Sequence, residues 1–215
     1  MKRLDRDRVE APECLKSYRS GEHTWSTVSD DHKKQIWSKL TLIQGSLCAY
    51  CEGDLINLGQ HIEHLRSRGQ YPGHTFGWEN LYGSCNREDS CGIYKDREAN
   101  PYDPNDLIAP AVEDPDRFFR FRTDGTIDLR PGLSDQEVHR ALETLRVINL
   151  DPSHGRLRGE RKRTWRQYAS QEPDLLEVLE AFTAQERAQW IFDELIAIAD
   201  QAFSTVIRHF LQESA

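Results

Sequence analysis

Apolar residues recur at helical spacing near both ends of this 215-residue chain and lose that periodicity in between. Across Val28–Leu42 and just beyond it, Ile36, Trp37, Leu40 and Ile43 predict one helix, with Ser29 or Asp30 offering a side-chain oxygen to its free first-turn amides. Phe118–Leu129 alternates apolar and polar around Asp124-Gly125, the pattern of a β-hairpin with a tight turn. Ser134-x-x-Glu137 resembles a capping box, and Val138, Leu142, Leu145 and Ile148 follow on one helical face. Pro173 fits a first-turn position ahead of a Leu175, Leu176, Leu179 and Phe182 stripe, and Thr183-x-x-Glu186 starts a further helix. Trp190, Ile191, Leu195, Ile198, Ala202, Val206 and Phe210 extend it into one long helix whose apolar face reads as core or partner interface.

Between these ends, Cys48 to about Asn100 is rich in Gly, Cys and His and short of periodic segments, as a small metal-stapled unit would be. The four prolines and five acids of the stretch from Ala99 to Arg117 predict a surface connector. The expected organisation is therefore a helical segment over residues 1–47, the stapled unit over 48–100, and a hairpin with helices over 101–215. The fold class is α+β, mainly helical.

Charged residues make up 30% of the chain and hydrophobic ones 37%, at a mean hydropathy of −0.74, while five Trp, eight Phe and seven Tyr supply bulk for a core. No apolar run approaches the length of a membrane span, and MKRLDRDRVE has no signal-peptide core, so a cytoplasmic protein with no membrane partner is expected. The net charge of −8 argues against holding nucleic acid by bulk electrostatics alone. Nearly all of it lies beyond Gln167, where nine acids face two bases. Just before, Arg156, Arg158, Arg161, Lys162, Arg163 and Arg166 form a basic stretch, readable either as a nucleic-acid contact or as a solvated helix face.

Four of the five cysteines form two knuckles, Cys48-x-x-Cys51 and Cys85-x5-Cys91, while Cys14 stands apart. Two closely spaced thiolate pairs can close a tetrahedral Zn²⁺ shell, which makes a structural rather than a catalytic site. Buried free thiols are the plainer alternative. A redox role fits poorly, because no βαβ pattern surrounds the Cys-x-x-Cys. Between the knuckles lie Glu63-His64 and, sixteen residues on, Asn80. The Glu63 carboxylate can hold a hard divalent cation while His64 deprotonates water, provided that one of them sits at a bend or strand end, since neighbouring strand residues point to opposite faces. Asn80 can accept the second imidazole N–H or pin the loop that carries it.

This set resembles the HNH endonucleases, whose ββα-metal unit carries an acid–His pair on its first strand, an Asn on its second and a metal ligand on its helix. LCAYCEGDL, HIEHLRSR, TFGWENLYGSC and CGIYKD are together similar to the retron- and Septu-associated HNH proteins called PtuB, a likeness that covers most of the chain. The resemblance implies a zinc-stapled ββα-metal unit embedded in a helical protein with a long C-terminal helix. It makes His64 the general base, Glu63 a ligand of catalytic Mg²⁺ or Mn²⁺, Asn80 the middle residue of the motif, and Cys48, Cys51, Cys85 and Cys91 the zinc ligands. Many zinc-bearing HNH units place Asn directly after the last Cys, where this chain has Gly92, so the second metal ligand falls to Asn86 or Asp96. Lys95 could contact phosphate, as could Arg66 and Arg68 directly after the motif. His61 could join the metal or a phosphate, or be a polar surface residue.

PtuB-like proteins act in antiphage defence with an ABC-type ATPase, PtuA, sometimes together with a retron reverse transcriptase and its non-coding RNA. The resemblance therefore implies a nuclease acting on DNA or RNA, with the acidic C-terminal helices as the docking surface for the ATPase. The alternative is a zinc-stapled nucleic-acid-binding or scaffolding module, which would need neither Glu63, His64 nor Asn80. A stand-alone toxin-like nuclease fits the acidic tail poorly, and a zinc peptidase lacks its His-Glu-x-x-His.

Overall fold

The computed structural model describes residues 1–171 and 174–213, without the side chains of Leu176 and Val178. Pro173 and the Leu176 side chain, both named above for the C-terminal helices, lie outside this description. The fold is mixed α/β, with about half of the described residues helical. Two compact units interleave along the chain: Met1–Phe118 with Leu133–Leu150, and Phe119–Gly132 with Asp151–Ala215. The 101–215 stretch is thus shared between them. Among the described residues, no helix is long and apolar enough to cross a membrane.

In the first unit, α1 spans Asp30–Gln44, and the Ser29 hydroxyl accepts from the His32 amide at 3.2 Å. Ile36 and Leu40 are fully buried in a cluster with Cys14, Leu15, Val28 and Leu81. After a short helix, α2 (Leu55–Leu58), strands β1 (Gln60–His64) and β2 (Leu81–Cys85) pair antiparallel, with Glu63 opposite Tyr82 and His64 opposite Leu81. Helix α3 (Cys91–Lys95) follows and packs on β2, completing a strand–strand–helix sequence. The free edge of β2 is met by Gln44, whose side-chain oxygen accepts from the Gly83 amide at 2.9 Å and whose amide donates to the Gly83 carbonyl at 2.9 Å.

Helix α4 (Asp135–Ile148) opens on the expected capping box, Ser134 and Glu137 satisfying each other's free amides. Its buried face differs from the one read in the sequence: Ala141, Thr144, Val147 and Ile148 are buried, while Leu142 is half exposed. Thr144 belongs inside because its hydroxyl accepts the Ile108 amide and donates to the Arg140 carbonyl. Ile108 and Leu107 are buried too, so the proline-rich stretch is partly core rather than wholly a surface connector.

In the second unit, β3 (Phe119–Phe121) and β4 (Ile127–Leu129) form the expected hairpin. Gly125 has φ +92°, and a Cβ there would strike the Arg158 carbonyl. Helix α5 (Arg156–Gln171) carries the basic stretch, but much of that charge is used internally. Arg158 and the buried Arg161 both bond Asp151, and Arg161 also donates to the Gly125 carbonyl at 2.7 Å.

Helices α6 (Leu175–Ala181), α7 (Ala184–Ala197) and α8 (Thr205–Glu213) complete the unit. One long C-terminal helix was expected, and the structure has two. The chain turns over residues 198–204, where Phe203 takes φ +59°. A non-glycine residue there breaks the ladder at a conformational cost, offset by burial of the Phe203 ring. The break gives each helix its own apolar face: Val206, Ile207 and Leu211 are buried on α8, whereas Phe192 and Ile196 remain exposed on α7.

Candidate functional site

The first knuckle is a tight turn. The Cys48 amide donates to the Gly53 carbonyl, the Glu52 amide donates to the Cys48 carbonyl, and Glu52 itself adopts φ +64°. Its Ala49 amide bonds the Gly83 carbonyl, which fixes the turn against β2, whose last residue is Cys85. Cys91, at φ +62°, brings the fourth sulfur in from the start of α3. All four Sγ atoms are buried and lie within 4.8 Å of one another, with Cys51 and Cys85 4.0 Å apart. Four thiolates on one Zn²⁺ at about 2.3 Å would stand about 3.8 Å apart. The Gly53 and Cys85 amides point at Cys51 and Cys48 sulfurs at 3.3 and 3.4 Å, a polarity that suits thiolates. Burial would raise the Cys48 pKa, but the neighbouring thiols hold it well below the ordinary value, while Cys51 and Cys91 are pushed well above. The cluster can hold a structural metal ion such as zinc.

Glu63 and His64 lie on the hairpin beside this cluster, and His64 is the last residue of its strand, where the chain is free to turn. The imidazole is buried at 3% exposure, stands edge-on to the Trp25 ring with centroids 4.4 Å apart, and donates from Nε2 to the Thr75 carbonyl at 3.1 Å. Its Nδ1 therefore carries the lone pair. Burial lowers its pKa to about 4, well below the ordinary histidine value of about 6.5 expected for it. The ring is neutral at physiological pH. Trp25 and Thr75 also line a cleft of about 440 Å³ with His23, Arg68 and Pro72, so His64 stands directly behind the wall of that cleft.

The Asn80 side chain bonds the loop backbone rather than the His64 ring. Of its two expected roles it takes the second: its amide oxygen accepts the Arg66 amide at 2.7 Å, and its amide nitrogen donates to the Arg66 and His74 carbonyls at 3.1 and 3.0 Å. These bonds close the loop between the strands and bring Thr75 over His64.

Lys95 is not available to a substrate phosphate. Its ammonium is fully buried, 3.0 Å from Glu63 Oε1, bonded to Asp96, and donates to the Tyr102 hydroxyl at 2.8 Å. Burial alone would lower its pKa, but the Glu63 and Asp96 carboxylates outweigh that and raise it. Burial likewise favours a protonated Glu63, but Lys95 and His61 keep it ionised, below the usual carboxylate range. Asp96 is raised, chiefly by burial and then by the Glu63 charge.

Both candidates for the second metal ligand are bonded to neighbours of Glu63. Asp96 is turned to Lys95, and Asn86 Oδ1 lies 3.0 Å from His61 Nδ1. His61 Nε2 lies 3.4 Å from Glu63 Oε2, on the same face of β1. Arg66 is held by Asn105 at 3.0 Å and faces a separate cavity, whereas Arg68 is exposed at the cleft. Sequence reasoning missed Trp25, Thr75 and Tyr102, which carry no motif of their own. Only Gly92 left a signal, as the residue standing where Asn was expected.

The donor chemistry fits a hard divalent cation. Glu63 is buried and ionised, its Oε1 is paired with the Lys95 ammonium at 3.0 Å, and its Oε2 lies against the side-chain-free Gly92, 3.4 Å from His61 Nε2.

No protein-family model matches the chain. It is similar to a Vibrio cholerae serotype O1 biovar El Tor protein named "Retron Vc95 putative HNH endonuclease", at 29% identity over 138 residues, which covers 61% of this chain and 63% of that relative. A four-thiol cluster, a buried Glu–His pair on a hairpin with a helix behind it, and this distant relative together support an HNH endonuclease family.

Proposed function

We propose that the chain is a metal-dependent HNH endonuclease that hydrolyses phosphodiester bonds of DNA or RNA. The observation that carries the proposal is the state of His64: neutral, with Nε2–H spent on the Thr75 carbonyl and Nδ1 left as the base, one residue from an ionised and buried Glu63. His64 accepts a proton from the attacking water. Thr75 fixes the tautomer, Trp25 fixes the ring plane, and Asn80 holds the loop that carries Thr75. Mg²⁺ or Mn²⁺ held by Glu63 would supply charge neutralisation at the scissile phosphate and the departing 3′ oxygen. Arg68, exposed on the cleft, meets a neighbouring phosphate. A pKa of about 4 makes the imidazole a weak but fully unprotonated base above pH 5.

The biological setting follows from the relative's printed retron name and from the likeness to PtuB. In it, the chain is the nuclease effector of a retron or Septu-type antiphage system and works with the ABC-type ATPase PtuA, sometimes with a reverse transcriptase and non-coding RNA. The acidic C-terminal helices are the proposed docking surface, where Phe192 and Ile196 offer exposed apolar side chains. A complex of this kind would supply the positive field that a chain of net charge −8 lacks.

The test is cleavage of plasmid DNA, single-stranded DNA and tRNA by wild type and His64→Ala, in Mg²⁺ or Mn²⁺, with and without co-expressed ATPase. Metal-dependent cleavage by the wild type, abolished in the variant at unchanged zinc content and fold, is expected. Equal cleavage by both proteins, or silence in all conditions from a folded, zinc-bound wild type, would overturn the reading in favour of a binding module.

A further inference from the structure

Position 92 is the point where the sequence departs from the HNH pattern, and the structure gives that departure a shape. Gly92 lies in the first turn of α3, facing β1. A Cβ there would fall well inside contact distance of Glu63 Oε2 and 2.9 Å from His61 Nε2. The helix thus withholds a side chain at the spot on which two strand side chains converge. His61 and Glu63, two residues apart on β1, project from the same face of the hairpin. Their Nε2 and Oε2 atoms are 3.4 Å apart, within half an ångström of the spacing of about 3.0 Å between adjacent ligands on an octahedral ion with bonds near 2.1 Å.

Three further contacts prepare this pair. Asn86 Oδ1, an acceptor, lies 3.0 Å from His61 Nδ1, so Nδ1 carries the hydrogen and Nε2 is the nitrogen that can bind an ion. The Lys95 ammonium stands on Glu63 Oε1, the other carboxylate oxygen, and leaves Oε2 facing His61. Asp96 is engaged by Lys95. Asn86 and Asp96, the ligands suggested by sequence, are therefore each committed to a neighbour of the site.

We infer that His61 is the second protein ligand of the divalent cation, binding through Nε2 beside Glu63 Oε2, with the missing side chain of Gly92 letting both groups lie together against the helix and Asn86 as a positioning residue for the imidazole. The ligand that the HNH pattern draws from the helix comes here from the strand. This rests on the nuclease reading only for the cation's role in cleavage; the binding pair itself can be tested apart from it.

The experiment uses the full, zinc-replete chain and Mn²⁺ as the probe. Binding is followed by the electron paramagnetic resonance of free Mn²⁺, and ligation by the ¹⁴N coupling of bound imidazole in electron spin echo spectra. One Mn²⁺ with ¹⁴N coupling is expected in the wild type. His61→Ala should lose the coupling and weaken binding, while His64→Ala should keep the coupling. Asn86→Leu should weaken binding about tenfold or more, the scale of losing an imidazole's outer hydrogen-bond partner, with Asn86→Asp restoring it. Gly92→Ala should fold, because the atoms its Cβ meets are the ends of two movable side chains, and should weaken binding as His61→Ala does.

Coupling that persists in His61→Ala, unchanged Mn²⁺ affinity in that variant, or no Mn²⁺ bound by the wild type at millimolar concentration would each overturn the inference. Parallel cleavage assays keep the two readings apart. Metal-dependent cleavage with His61-independent Mn²⁺ binding overturns the ligand assignment and leaves the nuclease. A His61-dependent Mn²⁺ site in a protein that cuts nothing upholds the ligand and overturns the nuclease.

Discussion

The four thiols around Cys48 are gathered by one tight turn, one strand end and one helix start, whereas Glu63 and His64 take their surroundings from well-separated parts of the chain. Thr75 comes from the loop between the strands, Trp25 from ahead of α1, Lys95 from α3 and Tyr102 from the stretch beyond it. The thiol cluster is chemically uniform and buried. The hairpin pair is asymmetric: one carboxylate is kept charged by a buried ammonium, and one imidazole is kept neutral by burial. A closed ion site needs only convergence, while a site that moves protons needs each group held in its own state.

Replacing a thiol should produce the largest effect and sharpen this contrast most. Cys51→Ser removes one of four ligands from a buried site that joins β2, α3 and the first knuckle. Since binding of a structural zinc is part of folding free energy, on the order of 10 kcal/mol in small zinc units, the first unit should lose its cooperative thermal transition together with its zinc. A folded variant without zinc would break the contrast by showing that convergence alone, without the ion, supports the unit.

Metal removal separates the two sites at intermediate cost. Brief treatment with EDTA should stop cleavage, and added Mg²⁺ should restore it, while zinc content and near-ultraviolet circular dichroism stay constant. Simultaneous loss of structure and activity would mean that both sites answer to one ion.

Asn80→Ala acts on the hairpin pair through its loop. It strips partners from the Arg66 amide and from the Arg66 and His74 carbonyls, groups that cost about 1–3 kcal/mol each when buried without a bond. Loss of about 3 kcal/mol in urea unfolding is expected, with cleavage falling as Thr75 leaves His64. Unaltered cleavage would detach the loop from the chemistry.

The smallest effect is expected from Arg68→Ala, an exposed cation at the cleft. It should weaken nucleic-acid binding at low salt and reduce the slope of log affinity against log salt by about one phosphate contact, without touching zinc. An unchanged slope would remove Arg68 from the interface.

The thiol cluster was legible because its ligands announce themselves by spacing, and the short knuckle folds locally. The sequence singles out Glu63, His64 and Asn80 together, but not what each side chain bonds. Lys95 reads as a phosphate contact, and only the docking of α3 on β2 sends its ammonium inward to Glu63. Asn80 reads equally well as an imidazole partner or a loop tie until the hairpin register places the Arg66 backbone against it. In the C-terminal region the apolar residues from Trp190 to Phe210 recur at helical intervals, yet residues 198–204 form a turn and α8 buries Val206, Ile207 and Leu211. Periodicity cannot reveal that Phe203 adopts a left-handed backbone and divides the run in two.

Gln44 carries a consequence of its own. A two-stranded ribbon is barely stable in water and exposes open edges that invite pairing with another chain. At Gly83 one edge meets a carboxamide that both donates and accepts, as a third strand's peptide group would, at the reach of a single side chain. A side chain there would disturb the match, because a Cβ would lie 2.6 Å from the Gln44 amide nitrogen and 2.7 Å from the Trp37 ring. The hairpin that bears the reactive groups is thus closed at this position by a counterfeit neighbour too short to be extended. The open edge is thereby blocked at Gly83 against pairing with another chain, without a further strand.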